Sequence, residues 1–179
     1  VIAVTHAMGG VHNEDGIDIP ALMRHATKHG TVAGFDSGDP LTNEELWRVR
    51  CDYMVPAALG GVITKEDNAG ILDCRMLVEA ANGPTTPIAD KVLAERDILV
   101  LPDFLANGAG VVGSYFEWTQ NLQQLRWELE QVNTALERKM VAAYRDVYNL
   151  ATEKNVPLRT AAYAIALKRV AYAEEMRGH

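Results

Sequence analysis

Apolar residues along this chain come in two rhythms. In the longer N-terminal part, short apolar runs alternate with amphipathic stretches. The runs at residues 1–4, 53–56, 76–78 and 98–101 are dense in Val, Ile, Leu and Met, as strands covered on both faces are. Between them the spacing and end signals predict helices. One covers 19–29, after Asp18 and with Pro20 in its first turn. One covers 42–47, where Thr42 and Glu45 form a capping box. One covers 66–72, after Thr64 and Lys65. One covers 87–95, capped by Thr86 with Pro87 at its first position. Strands alternating with helices predict an α/β fold with a doubly wound parallel sheet.

After Thr119 the rhythm changes. Leu122, Leu125, Leu129, Val132, Leu136, Met140, Ala143, Val147 and Leu150 recur at three- and four-residue steps. This predicts one face of a single long helix of roughly eight turns. Glu128, Glu130, Glu137, Arg138 and Lys139 cover its other side, and Asn155-Val156-Pro157 ends it. A second, Ala-rich helix is expected over 158–176. A coiled-coil dimer is the rival reading of the long helix. The drifting spacing, and Thr134 and Ala135 where paired charges would stand, argue against it.

The 179 residues suffice for one ordinary domain with a core. A net charge of −7 argues against nucleic acid as a partner. No apolar stretch is long enough to span a membrane, and no signal peptide is visible. Cys51 and Cys74 lack metal-ligand spacing and read as buried, reduced thiols of a cytoplasmic protein. Val1 already lies inside an apolar run and there is no initiator Met, which reads as a chain cut inside a domain.

Parallel strands present their C-terminal ends along one edge, where ligands bind. The segments just after the expected strands are Thr5-His6-Ala7, Ala57-Ala58-Leu59, Asn82-Gly83 and Ala106-Asn107-Gly108. All four are expected on one rim. Ala57 and Ala58 are small enough for a flat ring or ribose to approach the backbone. Asn82 and Asn107 each offer a donor and an acceptor. Asn82-Gly83 also forms a turn pair that tolerates positive φ. A loop is expected over 102–114, where Asn107-Gly108-Ala109-Gly110 is too glycine-rich to read as helix interior and Gly113 follows. Ser114, next in the chain, would either cap the next helix or receive an anionic group at that helix's positive end.

With these loops in view, the chain resembles the C-terminal, nucleotide-binding part of glutamate dehydrogenases, in the wider glutamate/leucine/phenylalanine/valine dehydrogenase family. The resemblance rests on Val55-Pro56-Ala57-Ala58-Leu59, residues 79–86, Leu101-Pro102-Asp103, Ala106-Asn107, Ser114-Tyr115-Phe116-Glu117-Trp118, Gln120-Asn121 and Arg159-Thr160-Ala161-Ala162-Tyr163. It covers essentially the whole chain. It implies a partial Rossmann-type doubly wound sheet lacking its first strand and Gly-rich loop. Residues 1–113 would be that partial domain. Residues 114–179 would be two C-terminal helices folding back toward a substrate domain.

The activity implied is oxidative deamination of L-glutamate to 2-oxoglutarate and ammonia with NAD or NADP, in a hexamer. The implied cofactor-binding residues are His6, Ala57, Ala58, Asn82 and Asn107, and the implied substrate-binding residues are Val111 and Ser114. No catalytic residue is assigned here, because the family's catalytic Lys and Asp belong to the substrate domain. The chain alone is therefore expected to be inactive. The alternative is a non-catalytic nucleotide- or amino-acid-binding regulatory module built from this domain.

The chain departs from the family's pattern at several points. His6 stands where an acid usually meets the adenosine ribose, which leaves NADP or dual use open. Gly60-Gly61 stand where Glu-Asn is usual. No Gly-x-Gly-x-x-Gly occurs; that fingerprint is expected just before Val1.

Other constellations carry less. His25 and His29 are four apart but no carboxylate completes a metal site, so no metal is expected. Gly113-Ser114-Tyr115 is not a nucleophile elbow. Asp103, after Pro102, reads as a turn anchor.

Overall fold

The computed structural model describes residues 1–178 and divides them into two compact units, Val1–Cys51 with Gly70–Cys74, and Asp52–Ala69 with the chain from Arg75 onward. The first unit holds β1 (Ala3–His6), β2 (Gly9–His12), α1 (Ile19–His29), β3 (Asp39–Leu41) and α2 (Asn43–Leu46). β2 is the middle strand and pairs antiparallel with β1 and with β3. Val11, Ile17 and Leu22 are its buried centre, with Val4, Ile19, Val32 and Phe35 packed around them.

α1 has the predicted bounds. Asp18 accepts from the Ala21 amide at its start, and Gly30 closes it in the left-handed region. α2 carries the predicted capping box, with Glu45 accepting from the Thr42 amide at 2.9 Å.

The second unit carries the sheet β4 (Cys51–Met54), β5 (Cys74–Val78) and β6 (Leu99–Leu101), in that order, with β5 and β6 parallel. α3 (Pro87–Glu95) links β5 to β6 and has the predicted bounds, Thr86 capping it. The short α4 (Asp103–Ala106) precedes α5 (Ala109–Gln123), α6 (Leu129–Lys154) and α7 (Leu158–Arg177). Leu77, Leu93 and Ile63 are fully buried. A second cluster joins Leu105 to Val147 and Ala151 of α6 and to Leu158, Ala161 and Ala162 of α7. The alanines let α7 come close. Among the described residues no helix is long and apolar enough to cross a membrane.

The α/β class and the partial doubly wound sheet hold, and four details differ from the expectations above. The first strand, expected at 1–4 in one parallel sheet with the others, instead opens a separate antiparallel sheet. Ala7-Met8 turn the chain back, Gly9 leaves the turn at φ 106°, and Gly10 comes so close to β1 that only glycine fits.

The helix expected at 66–72 is a run of turns. There Thr64 accepts from the Asp67 amide at 3.1 Å. Asn68 spans from the Thr64 amide to the Val62 carbonyl. The Asn68 and Ala69 amides both reach back to the Thr64 carbonyl, so Thr64 caps a single turn that the chain does not extend into a helix.

The loop expected over 102–114 holds α4 and is helical again from Ala109, so Ser114 lies within α5 rather than at its cap. A Cβ at Gly110 or Gly113 would meet nothing within 4 Å. Neither glycine is there to make room.

The single long helix is two. Gln124 turns left-handed at φ 54°, Gln120 accepts from the Trp127 amide, and α6 starts afresh on a Glu128–Gln131 capping box. Leu122 and Leu125 therefore lie outside the long helix. α6 ends at Asn155, as the sequence indicated.

Candidate functional site at the parallel sheet edge

Three loops leave the C-terminal ends of β4, β5 and β6, and hydrogen bonds stitch them side by side. The Pro56 carbonyl accepts from the Ala80 and Ala81 amides at 3.1 and 2.9 Å. The Gly61 amide donates to Gly83 at 2.8 Å, and Ile63 pairs with Thr85. A Cβ at Gly60 would stand 2.9 Å from the Asn82 carbonyl oxygen. Gly60 thus lets the first loop lie against the second. Gly83 adopts φ 54°, as the Asn-Gly pair predicted.

The third loop joins through Asn107. Its Nδ2 donates to the Asn82 Oδ1 at 2.7 Å and to the Ala80 carbonyl at 3.3 Å. Among the described residues this leaves the Asn82 Nδ2 as an uncommitted donor and the Asn107 Oδ1 as an uncommitted acceptor. A carboxamide or a ribose hydroxyl needs such a pairing. Thr85 Oγ1 is buried with no hydrogen-bond partner among the described residues, a further polar atom awaiting one. Ala57 and Ala58 are exposed on the neighbouring loop. Small side chains and two amides on one edge are groups that could hold a nucleotide.

Beneath this edge lies a charged cluster that the sequence did not reveal as a unit. Glu79, at 0% exposure, accepts from the Arg159 guanidinium at 2.7 Å and from the Asp103 amide at 2.9 Å. Asp90 takes the Nε and Nη2 of Arg159 at 3.1 and 3.2 Å, a two-pronged contact. The Asp103 Oδ1 lies 3.7 Å from the same guanidinium, and its Oδ2 accepts from the Gly83 amide at 2.8 Å. Burial works against the Arg159 charge. Hydrogen bonds to Glu79 and Asp90, and the charges of both, outweigh it and hold its pKa above the ordinary arginine value. Asp103 is the turn anchor expected of it, and more: it ties the second loop to the third. The one sequence signal for the cluster was an arginine opening an Ala-rich helix, within the Arg159-Thr160-Ala161-Ala162-Tyr163 run.

Ala57, Ala58, Asn82 and Asn107 thus come together. Val111 and Ser114 lie on α5, three apart and so on one face. Val111 is 72% exposed and Ser114 is exposed, its Oγ donating to the Gly110 carbonyl at 3.2 Å. His6 ends β1 in the first compact unit with its side chain exposed. Two shallow clefts, one lined by His12, Glu45 and Arg48 and one by Asp146, Lys168 and Arg169, include none of these residues. Among the described residues no three His, Cys, Asp or Glu side chains gather as metal ligands.

A parallel sheet with small and amide-bearing loops on its C-terminal edge is a Rossmann-type α/β architecture. Residues 1–178 match the model of the Glutamate/Leucine/Phenylalanine/Valine dehydrogenase family, and the chain belongs to that family. It is 49% identical over 178 residues to a glutamate dehydrogenase of Thermotoga maritima, covering 99% of this chain and 42% of the relative. A glutamate dehydrogenase structure from Peptoniphilus asaccharolyticus superposes with a TM-score of 0.79 at 37% identity, covering 99% of this chain and 40% of that one. A hetero-hexameric glutamate dehydrogenase from Thermus thermophilus, in its Leu-bound form, gives a TM-score of 0.91 at 31% identity, covering 100% and 42%. The chain therefore spans about two fifths of the length of these relatives.

Proposed function

We propose that the protein to which this chain belongs is an NAD- or NADP-dependent L-glutamate dehydrogenase. It would convert glutamate to 2-oxoglutarate and ammonia, with the nicotinamide accepting the hydride. The observation that carries this reading is the Asn82–Asn107 pair at 2.7 Å on the sheet edge, in a chain 49% identical to a glutamate dehydrogenase. In this reading Ala57, Ala58, Asn82 and Asn107 hold the nicotinamide half of the cofactor, and His6 meets the adenosine ribose or its phosphate. Residues 1–113 are part of the nucleotide-binding domain, and 114–179 are helices that fold back toward a substrate domain. Val111 and Ser114 form one wall of the glutamate pocket. The family resemblance also supports a homo-oligomer, a hexamer, in the cytoplasm. The exposed Val111, Tyr115, Trp118 and Leu122 of α5 support burial of that face against further protein.

The test is glutamate-dependent reduction of NAD and of NADP by the full-length protein, each assayed alone. Absence of both activities in folded protein ends the proposal. Ser114→Ala is expected to raise the Michaelis constant for glutamate by about tenfold to a hundredfold, as loss of a hydrogen bond to a charged group does. The constant for coenzyme should hardly move. An unchanged glutamate constant removes Ser114 from the pocket.

A further inference from the structure

We propose that Arg159 is a positioning residue for the coenzyme loops, acting through Glu79 and Asp103 on the turn that carries Asn82. This rests on the dehydrogenase reading above and assigns a role to a residue whose guanidinium is engaged by three carboxylates.

Hydrogen bonds lead outward from the guanidinium to the sheet edge. Arg159 is the second residue of α7, its side chain only 19% exposed. Around it stand three carboxylates, Glu79, Asp90 and Asp103, at 2.7, 3.1 and 3.7 Å. One positive charge thus faces three negative ones. Two of the three acids act on the loops. Glu79 fixes the Asp103 amide, and Asp103 fixes the Gly83 amide. Gly83 adjoins Asn82, whose side chain is aligned by Asn107. The third acid, Asp90 on α3, holds the guanidinium and makes no contact with these loops among the hydrogen bonds of the described residues.

Removing the guanidinium leaves Glu79 and Asp103 as uncompensated neighbours. Asp103 then turns away, Gly83 loses its acceptor, and Asn82 shifts against Asn107. Coenzyme binding should weaken through this chain. Val111 and Ser114 on α5 are outside it, so glutamate binding should not.

The experiment uses the full-length protein and three variants, Arg159→Met, Arg159→Lys and Asp90→Asn. Reduced coenzyme is titrated by its own fluorescence, and steady-state constants are measured beside it. Arg159→Met is expected to raise the coenzyme Kd and KM by about tenfold or more, with the glutamate KM within about twofold. Arg159→Lys should lie between, because lysine keeps the charge but not the fork. Asp90→Asn should lower the melting temperature yet leave the coenzyme Kd within about threefold.

Loosening alone would raise the glutamate KM together with the coenzyme Kd, whereas the positioning role moves the coenzyme constants and leaves the glutamate KM in place. Wild-type coenzyme affinity in folded Arg159→Met overturns the inference. So does an equal loss in Asp90→Asn, which would mean general loosening. If Arg159→Met does not fold, a wild-type Kd in folded Arg159→Lys overturns it. Wild-type protein that neither binds coenzyme nor oxidises glutamate sinks the dehydrogenase reading itself, a result distinct from any of these.

Discussion

Gly10→Val is expected to destabilise the antiparallel sheet of the first unit by about 3 kcal/mol or more, against a total stability of about 5–15 kcal/mol for a protein of this kind. Gly10 sits in the central strand, opposite Thr5 on one side and Leu41 on the other. A Cβ there would lie 2.3 Å from the Val4 carbonyl oxygen, 2.6 Å from the Thr5 Cγ2 and 2.8 Å from the Thr5 Cα. Two of these three atoms are backbone, so no change of rotamer relieves the clash. The strand must move away from β1, and both ladders suffer because both use β2. Even Gly10→Ala should cost most of this.

Gly110 provides the contrast. It lies inside α5 with nothing within 4 Å of an added Cβ. Gly110→Ala should therefore stabilise by about 0.5–1 kcal/mol, through helix propensity. Urea denaturation of the intact protein, with amide exchange monitored at Val4 and Val11, reads both. A Gly10→Ala variant as stable as wild type would mean that β1 and β2 do not pair in this register.

These two glycines also mark where the sequence could be read and where it could not. α1 and α3 were legible to the residue, because their bounds are local chemistry: Asp18 with Pro20, and Thr86 with Pro87. The stop at Asn155 was legible for the same reason. β2 and β3 were not. Gly9-Gly10-Val11-His12 and Asp39-Pro40-Leu41 have poor strand propensity. β2 is held by its tight hairpin with β1, and β3 by pairing with β2 across a long stretch of chain. α5 was hidden by Gly108, Gly110 and Gly113, whose propensity cost is met by packing, with Phe116 buried. The turns at 65–71 were hidden by the opposite error, since Thr64 caps a first turn as a helix start would and the chain does not continue it.

At the candidate site the split is similar. Asn82 and Asn107 announced themselves as amides after apolar runs, and the structure joins them. The Arg159 cluster could not announce itself. Its members stand 69 and 80 positions apart along the chain, and no local spacing encodes that meeting.

The same cluster yields the second large effect. Glu79→Ala is expected to cost about 3–5 kcal/mol, the range for breaking a buried ion pair by removing one partner. Glu79 is wholly inaccessible, and both of its oxygens are used, one by Arg159 and one by the Asp103 amide. Alanine strands a backbone N–H and takes from the guanidinium its one wholly buried partner, leaving it Asp90 and Asp103. Glu79→Gln should cost less, because an amide oxygen still accepts one of the two bonds. The pH dependence of this deficit comes from the sign of the Arg159 shift. Its pKa is raised in the folded protein. The stabilisation that the arginine draws is therefore complete below its unfolded pKa and is lost only in strong alkali. The Glu79→Ala deficit should then be the same at about pH 7 and about pH 9. Paired urea titrations at the two pH values check this. A deficit under about 1 kcal/mol at both would mean that the carboxylate is hydrated and the pair is no more than a surface contact. A deficit that vanished by pH 9 would mean that the group facing Glu79 titrates there, which a guanidinium does not.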